Sequence, residues 1–228
     1  MDFFSPNTKL YDIISSNPKF LHLLSRFGIA LGFGDHSVKE VCESNHVSTD
    51  LFLLICKVYA DDSYIPQLAD FEHFDMDGLL PYLLQSHRYY MDERFPHLEE
   101  HLSHIIKAAQ PKYAKLLERF YDEYQSEVDK HFKYEEDTVF PYIEALRAGK
   151  SDKHFRIAEF KRNHSNIEDT LDDLMNILLK YLPGDILPKE RIEISYDIME
   201  LSVDLVLHTR IEERVLIPYV EFLENKKS

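Results

Sequence analysis

Tryptophan is absent from this 228-residue chain, glycine occurs only 6 times and cysteine only twice. So few glycines leave few positions for tight turns and positive-φ backbone, which argues against a hairpin-rich β architecture. Cys42 and Cys56 make no disulfide framework and there is no C-x-x-C pair, which favours a reducing compartment. Basic residues are scarce as well: 26 Lys+Arg stand against 41 Asp+Glu, a net charge of -15. A broad basic face for nucleic-acid phosphates or for an anionic membrane surface is thereby excluded. Long apolar runs are missing too. The longest, Leu51–Cys56, falls far short of the roughly 20 residues that span a bilayer. The acidic start Met1-Asp2 is followed by no apolar signal segment. The expectation is a cytoplasmic protein with neither nucleic acid nor membrane as a partner.

What is present is core material and histidine. The hydrophobic fraction is 44%, with 14 Tyr and 15 Phe, which excludes intrinsic disorder. Apolar residues recur at i, i+3, i+4 and i+7 with little strand-like alternation, so the fold class is all-α. Residues 1–60 read as a small helical N-terminal domain. A helix opens at Pro18 and ends at Gly28, Ser37 caps Val38–Ser44, and Ser48 or Thr49 caps Asp50–Tyr59. Residues 61–77, with two acidic clusters and Pro66, read as a linker without clear periodicity. From residue 78 to 228 the helices lengthen. Breaks at Gln110-Pro111, Ala148-Gly149-Lys150 and Pro183–Pro188 divide this part into four segments. Four long helices with short connections describe an antiparallel up-down four-helix bundle.

A repeat runs through that bundle. His131-Phe-Lys-Tyr-Glu135-Glu136, with Pro141-Tyr142 following, matches His208-Thr-Arg-Ile-Glu212-Glu213, with Pro218-Tyr219 following. The offset is 77 residues, and the same offset carries His87 onto His164. Each hairpin therefore has two histidines 44 residues apart. Residues equidistant from the turn of an antiparallel hairpin lie at one height, and the midpoints of successive His pairs fall at the three breaks. All four histidines are thus expected in one layer. Glu135 and Glu212, four residues after their histidines, share the inward face, whereas Glu136 and Glu213 are rotated a further ~100° and face outward or support the shell.

Four imidazoles and two carboxylates in one layer suit two metal ions, with Glu135 and Glu212 bridging and His87, His131, His164 and His208 terminal. The donors suit iron, and manganese or zinc stay open. The competing reading is a bundle with scattered surface His and Glu, which would have to supply the repeat by chance. His97, His101 and His104 form a second local cluster, read as a solvated histidine face rather than a second site. Glu168 follows His164 at the same spacing. Glu127 either lines the site or is an ordinary exposed Glu. Pro141 and Pro218 are expected to kink or end their helices. Tyr134, Tyr142 and Tyr219 read as core or rim aromatics, and Cys42 as a small buried hydrophobe.

These residues resemble the hemerythrin-like, HHE-type cation-binding domain over about residues 78–225. Arg26-Phe-Gly-Ile-Ala-Leu-Gly-Phe-Gly-Asp, with Ser37-Val-Lys-Glu-Val-Cys42, is similar to the small domain that precedes the di-iron domain in the iron–sulfur cluster repair (RIC) family. The resemblance implies a non-haem di-iron protein, carboxylate-bridged with an oxo bridge as a further option, acting in repair of iron centres after nitrosative or oxidative stress. The implied metal ligands are His87, His131, Glu135, His164, His208 and Glu212. As an enzyme it would donate iron or reduce NO or peroxide, with damaged iron–sulfur proteins as partners. The alternative is an O2 or NO sensor or carrier acting through a partner protein. One departure stands out: Gly32-Phe33 occupies the place of the family's Cys-Cys pair, so any thiol role of that pair is lost.

Overall fold

A computed structural model describes residues 3–150, 155–163 and 169–226. The chain is all-α, a four-helix bundle preceded by a helical N-terminal region. By compactness it divides into two units, Met1–Ser86 with Tyr142–Arg162 and Leu207–Ser228, and His87–Pro141 with Asn163–Val206.

The first unit contains α1 (Leu10–Ser16), α2 (Leu21–Arg26), α3 (Val38–Ser44) and α4 (Thr49–Ala60). A 3₁₀ turn at Pro18–Phe20 leads into α2, and Asn17 accepts from the Lys19 N–H at its start. The α3 cap is reciprocal. Ser37 Oγ accepts from the Glu40 N–H at 3.3 Å, and the Glu40 carboxylate accepts from the Ser37 N–H at 2.7 Å. Ser48 caps α4 through the Leu51 N–H. Every residue of the Leu51–Cys56 run is buried, so the longest apolar stretch is a helix packed on all sides. Beneath it, Arg26 donates to the Tyr59 hydroxyl at 2.7 Å, and Tyr59 shares a 2.9 Å bond with Tyr82.

Part of the segment expected as a linker is helical. Here α5 (Leu68–His73) starts where the Asp70 carboxylate accepts from the Gln67 N–H at 2.8 Å. At six residues it is too short to print a periodicity, and its buried anchor is Phe71, whose ring lies 6.0 Å from that of Tyr219. Arg210 pairs with Asp62, Arg214 donates to the Tyr64 carbonyl at 3.1 Å, and Arg147 pairs with Asp77, so the acidic clusters of this segment meet arginines.

The bundle comprises α6 (Leu79–Arg88), α7 (Phe95–Ala108), α8 (Pro111–Tyr134), α9 (Phe140–Arg147), α10 (Ile157–Asn163), α11 (Asp169–Asn176), α12 (Pro188–Ile211) and α13 (Ile217–Asn225). Gly149, at φ +81°, closes α9 as the second expected break requires. The core of the second unit takes residues at three-to-four spacing: Phe95, Leu98, Leu102 and Ile105; Leu117, Tyr121, Tyr124 and Val128; Leu171, Leu174 and Leu178; Ile194, Ile198, Leu201 and Leu205. Arg191 is buried and donates to the carbonyls of Leu178, Leu182 and Pro183, satisfying the C-terminal carbonyls after α11.

The helices do not end at Pro141 and Pro218. Among the described residues four π-helical stretches, Tyr89–Arg94, Glu135–Val139, Ile177–Tyr181 and Glu212–Leu216, each end two residues before a proline: Pro96, Pro141, Pro183 and Pro218. Proline has no N–H to give the carbonyl four residues back, and its ring clashes with that carbonyl. Widening the turn moves the preceding N–H to the carbonyl five back, as from Phe140 to Glu135 and from Ile217 to Glu212. After Pro141 and Pro218 the helix continues.

Candidate metal centre

The two halves of the sequence repeat recur in the backbone. Helix α8 ends at Tyr134 and α12 at Ile211, and Glu135 and Glu212 are each the first residue of a π stretch. Single π turns inside α-helices are frequent at functional sites, because the extra residue re-aims the side chains around it.

Glu135 is fully buried, and its two oxygens serve two imidazoles. Oε2 lies 3.1 Å from His87 Nε2, and Oε1 lies 2.9 Å from His131 Nε2. In the second copy, Glu212 Oε1 lies 3.0 Å from His208 Nε2, both side chains at 0% exposure. The ligand atoms of His87, Glu135, His208 and Glu212 all lie within 4.8 Å of one another, and all four residues are buried. Isolated carboxylates in such surroundings are costly to desolvate, so the arrangement calls for compensating positive charge.

Glu136 completes the first copy. His87 Nδ1 donates to Glu136 Oε1 at 2.8 Å. That bond puts a proton on Nδ1 and turns Nε2 toward Glu135. The hydrogen bond from His87 holds the Glu136 carboxyl below the usual carboxylate range. The His87 ring stacks on Phe132 at 4.0 Å and 9°, with Phe140 at 5.7 Å on the same stack. Carboxylate and aromatic walls together fix the ring plane, and the apolar faces keep water from the nitrogen.

The expected site residues are placed as follows. His87, Glu135, His208 and Glu212 come together, and His131 pairs with Glu135. His164 and Glu168 lie outside the described residues. Glu213 is exposed, as is Glu127, while its neighbours Tyr124 and Val128 take the inward positions. Cys42 and Cys56 are both buried, and burial pushes the Cys42 thiol up to about 12. Tyr142 and Tyr219 are buried, and Tyr134 is on the rim. Two placements were not legible in sequence. The specific partner of Glu136 is one, since rotation about the helix says only that it leaves the inward face. Asp197 is the other: it meets His97 and His101, whereas His104 stands apart and exposed. Asp197 is one acid among 41 on a polar helix face, and no spacing marks it.

The family model of the hemerythrin HHE cation binding domain matches residues 79–220. The chain belongs to this family. The HHE match opens at the first residue of α6, closes inside α13, and encloses the whole His/Glu cluster. It identifies the chain as a metal-binding protein of hemerythrin type. Neither a curated protein nor a solved structure matches it. Among the described residues no helix is long and apolar enough to cross a membrane.

Proposed function

We propose that this HHE protein is a non-haem di-iron protein that repairs iron and iron–sulfur centres after nitrosative or oxidative damage. The observation that carries the reading is the buried cluster of His87, Glu135, His208 and Glu212 inside the HHE segment. His87, His131, Glu135, His164, His208 and Glu212 would hold two iron ions. His164 enters from the sequence repeat alone. The donors fit the group: imidazole and carboxylate suit iron, and two dications offset two buried carboxylates. Manganese and zinc accept the same donors, and availability decides among them.

When bound, the iron pair supplies coordination positions and electrons for NO, O2 or peroxide. The chain's own residues set the conditions. Glu136 holds the His87 ring with Nε2 turned inward, and Phe132 and Phe140 stack against it and exclude water. No thiol takes part, because Gly32-Phe33 replaces the family's cysteine pair and both remaining cysteines are buried.

That last observation favours a second reading, in which the protein senses O2 or NO and signals through a partner protein. One experiment separates the two. Iron-loaded protein is exposed to NO and mixed with an iron–sulfur enzyme whose cluster has been damaged by NO. Repair predicts that iron leaves this protein and enzyme activity returns. Sensing predicts a reversible NO spectrum with all iron retained and no recovery of the enzyme.

A further inference from the structure

A second group of ligand-type side chains stands apart from the buried cluster, and the geometry points to it as a surface zinc site built from His97, His101 and Asp197. One turn of α7 places His97 and His101 side by side, their rings 4.4 Å apart. Asp197, on α12, turns a single oxygen to both. Oδ2 lies 3.4 Å from His97 Nε2 and 3.7 Å from His101 Nδ1. The three ligand atoms lie within 4.8 Å of one another.

The distances fit a cation site better than a directly hydrogen-bonded cluster. An N–H···O bond wants about 2.7–3.2 Å, and both separations exceed it. Ligand atoms on adjacent corners of a zinc tetrahedron, with bonds of about 2.0–2.2 Å, stand roughly 3.3 Å apart, near what is seen. Two imidazoles and one carboxylate are a donor set that zinc accepts, with a fourth position left for water. The surroundings are consistent with a cation there. Arg94 contributes one positive charge, at 4.0 Å from the other oxygen, Asp197 Oδ1. Its guanidinium is engaged by the Asp197 carbonyl at 3.2 Å and by the Glu200 carboxylate at 3.1 Å, so Asp197 and Glu200 together leave the locality net negative. His97 and His101 are 43% and 35% exposed and Asp197 is 22% exposed, so a cation can enter and leave without opening the protein. A bound ion would tie α7 to α12 from outside the core.

The test uses full-length, iron-loaded protein titrated with zinc chloride, with zinc and iron counted after gel filtration. The expected result is one zinc per wild-type chain with iron content unchanged. Zinc affinity falls at least tenfold in His101→Ala and in Asp197→Asn, and stays as in wild type in His104→Ala. The zinc count reads this site and the iron count reads the buried one. Should the chain take no iron, the difference in zinc between wild type and His101→Ala still decides. The proposal is overturned if wild type binds no such zinc, if both variants bind it unchanged, or if His104→Ala loses as much as His101→Ala, which would mean a diffuse histidine face.

Discussion

Glu136 offers the sharpest perturbation, because it touches the centre without being one of the proposed ligands. Replacing it by alanine removes the acceptor of the 2.8 Å bond from His87 Nδ1. The ring then loses the partner that orients it and can turn against Phe132 and Phe140. Removing such a support from a ligand histidine costs about 10–100-fold in metal affinity, roughly 1.4–2.7 kcal/mol. The Glu136 side chain is 37% exposed, so water takes over part of the lost bond and the lower end of that range is expected. Glu136→Gln keeps a carbonyl oxygen as acceptor and recovers most of the affinity. Affinities are read by competition with a chelator of known strength, alongside circular dichroism to establish folding. Wild-type affinity in Glu136→Ala, or equal losses in the alanine and glutamine variants, would refute the role given to this bond.

Three further outcomes follow from the packing. Arg191→Ala strips hydrogen-bond donors from the carbonyls of Leu178, Leu182 and Pro183 and lowers the unfolding free energy by about 3 kcal/mol in urea titration, with Arg191→Lys recovering only part because ammonium lacks the planar fork. Leu117→Ala, in the core of the second unit at 0% exposure, costs about 2–5 kcal/mol, whereas Glu127→Ala on the exposed face of the same helix stays within about 0.5 kcal/mol of wild type. Burial pushes the Cys42 thiol up to about 12 and the Cys56 thiol well above its ordinary value, so both are neutral at pH 8. Neither should react with a thiol-disulfide reagent at that pH until denaturant is added, and rapid labelling of folded protein would contradict the burial.

The bundle was legible because its signals are long-ranged and redundant. The 77-residue repeat, the breaks at Gln110-Pro111 and Gly149, and the inward placement of Glu135 and Glu212 agree with one another, and helix periodicity fixes the faces once the turns are known. What escaped were features settled by a few local atoms. Helix α5 is held by one Asp70 cap and one buried Phe71. The π stretches depend on how the backbone answers a proline inside a packed helix: periodicity sees Pro141 and Pro218 as breakers, but packing on both sides makes a widened turn cheaper than a stop. The Asp197 pairing joins residues about a hundred positions apart through a single oxygen, and a sequence carries no trace of that.

The central claim, that the buried His/Glu cluster is the metal centre of this HHE protein, is tested most directly by counting metal in protein produced with iron supplied. Wild type and the exposed-site control Glu213→Ala should carry two equivalents of iron per chain, whereas Glu135→Ala and Glu212→Ala, each of which removes a buried carboxylate, should lose most of it while remaining helical. Wild-type protein that stays free of metal, or glutamate variants that keep the full complement, would contradict the account.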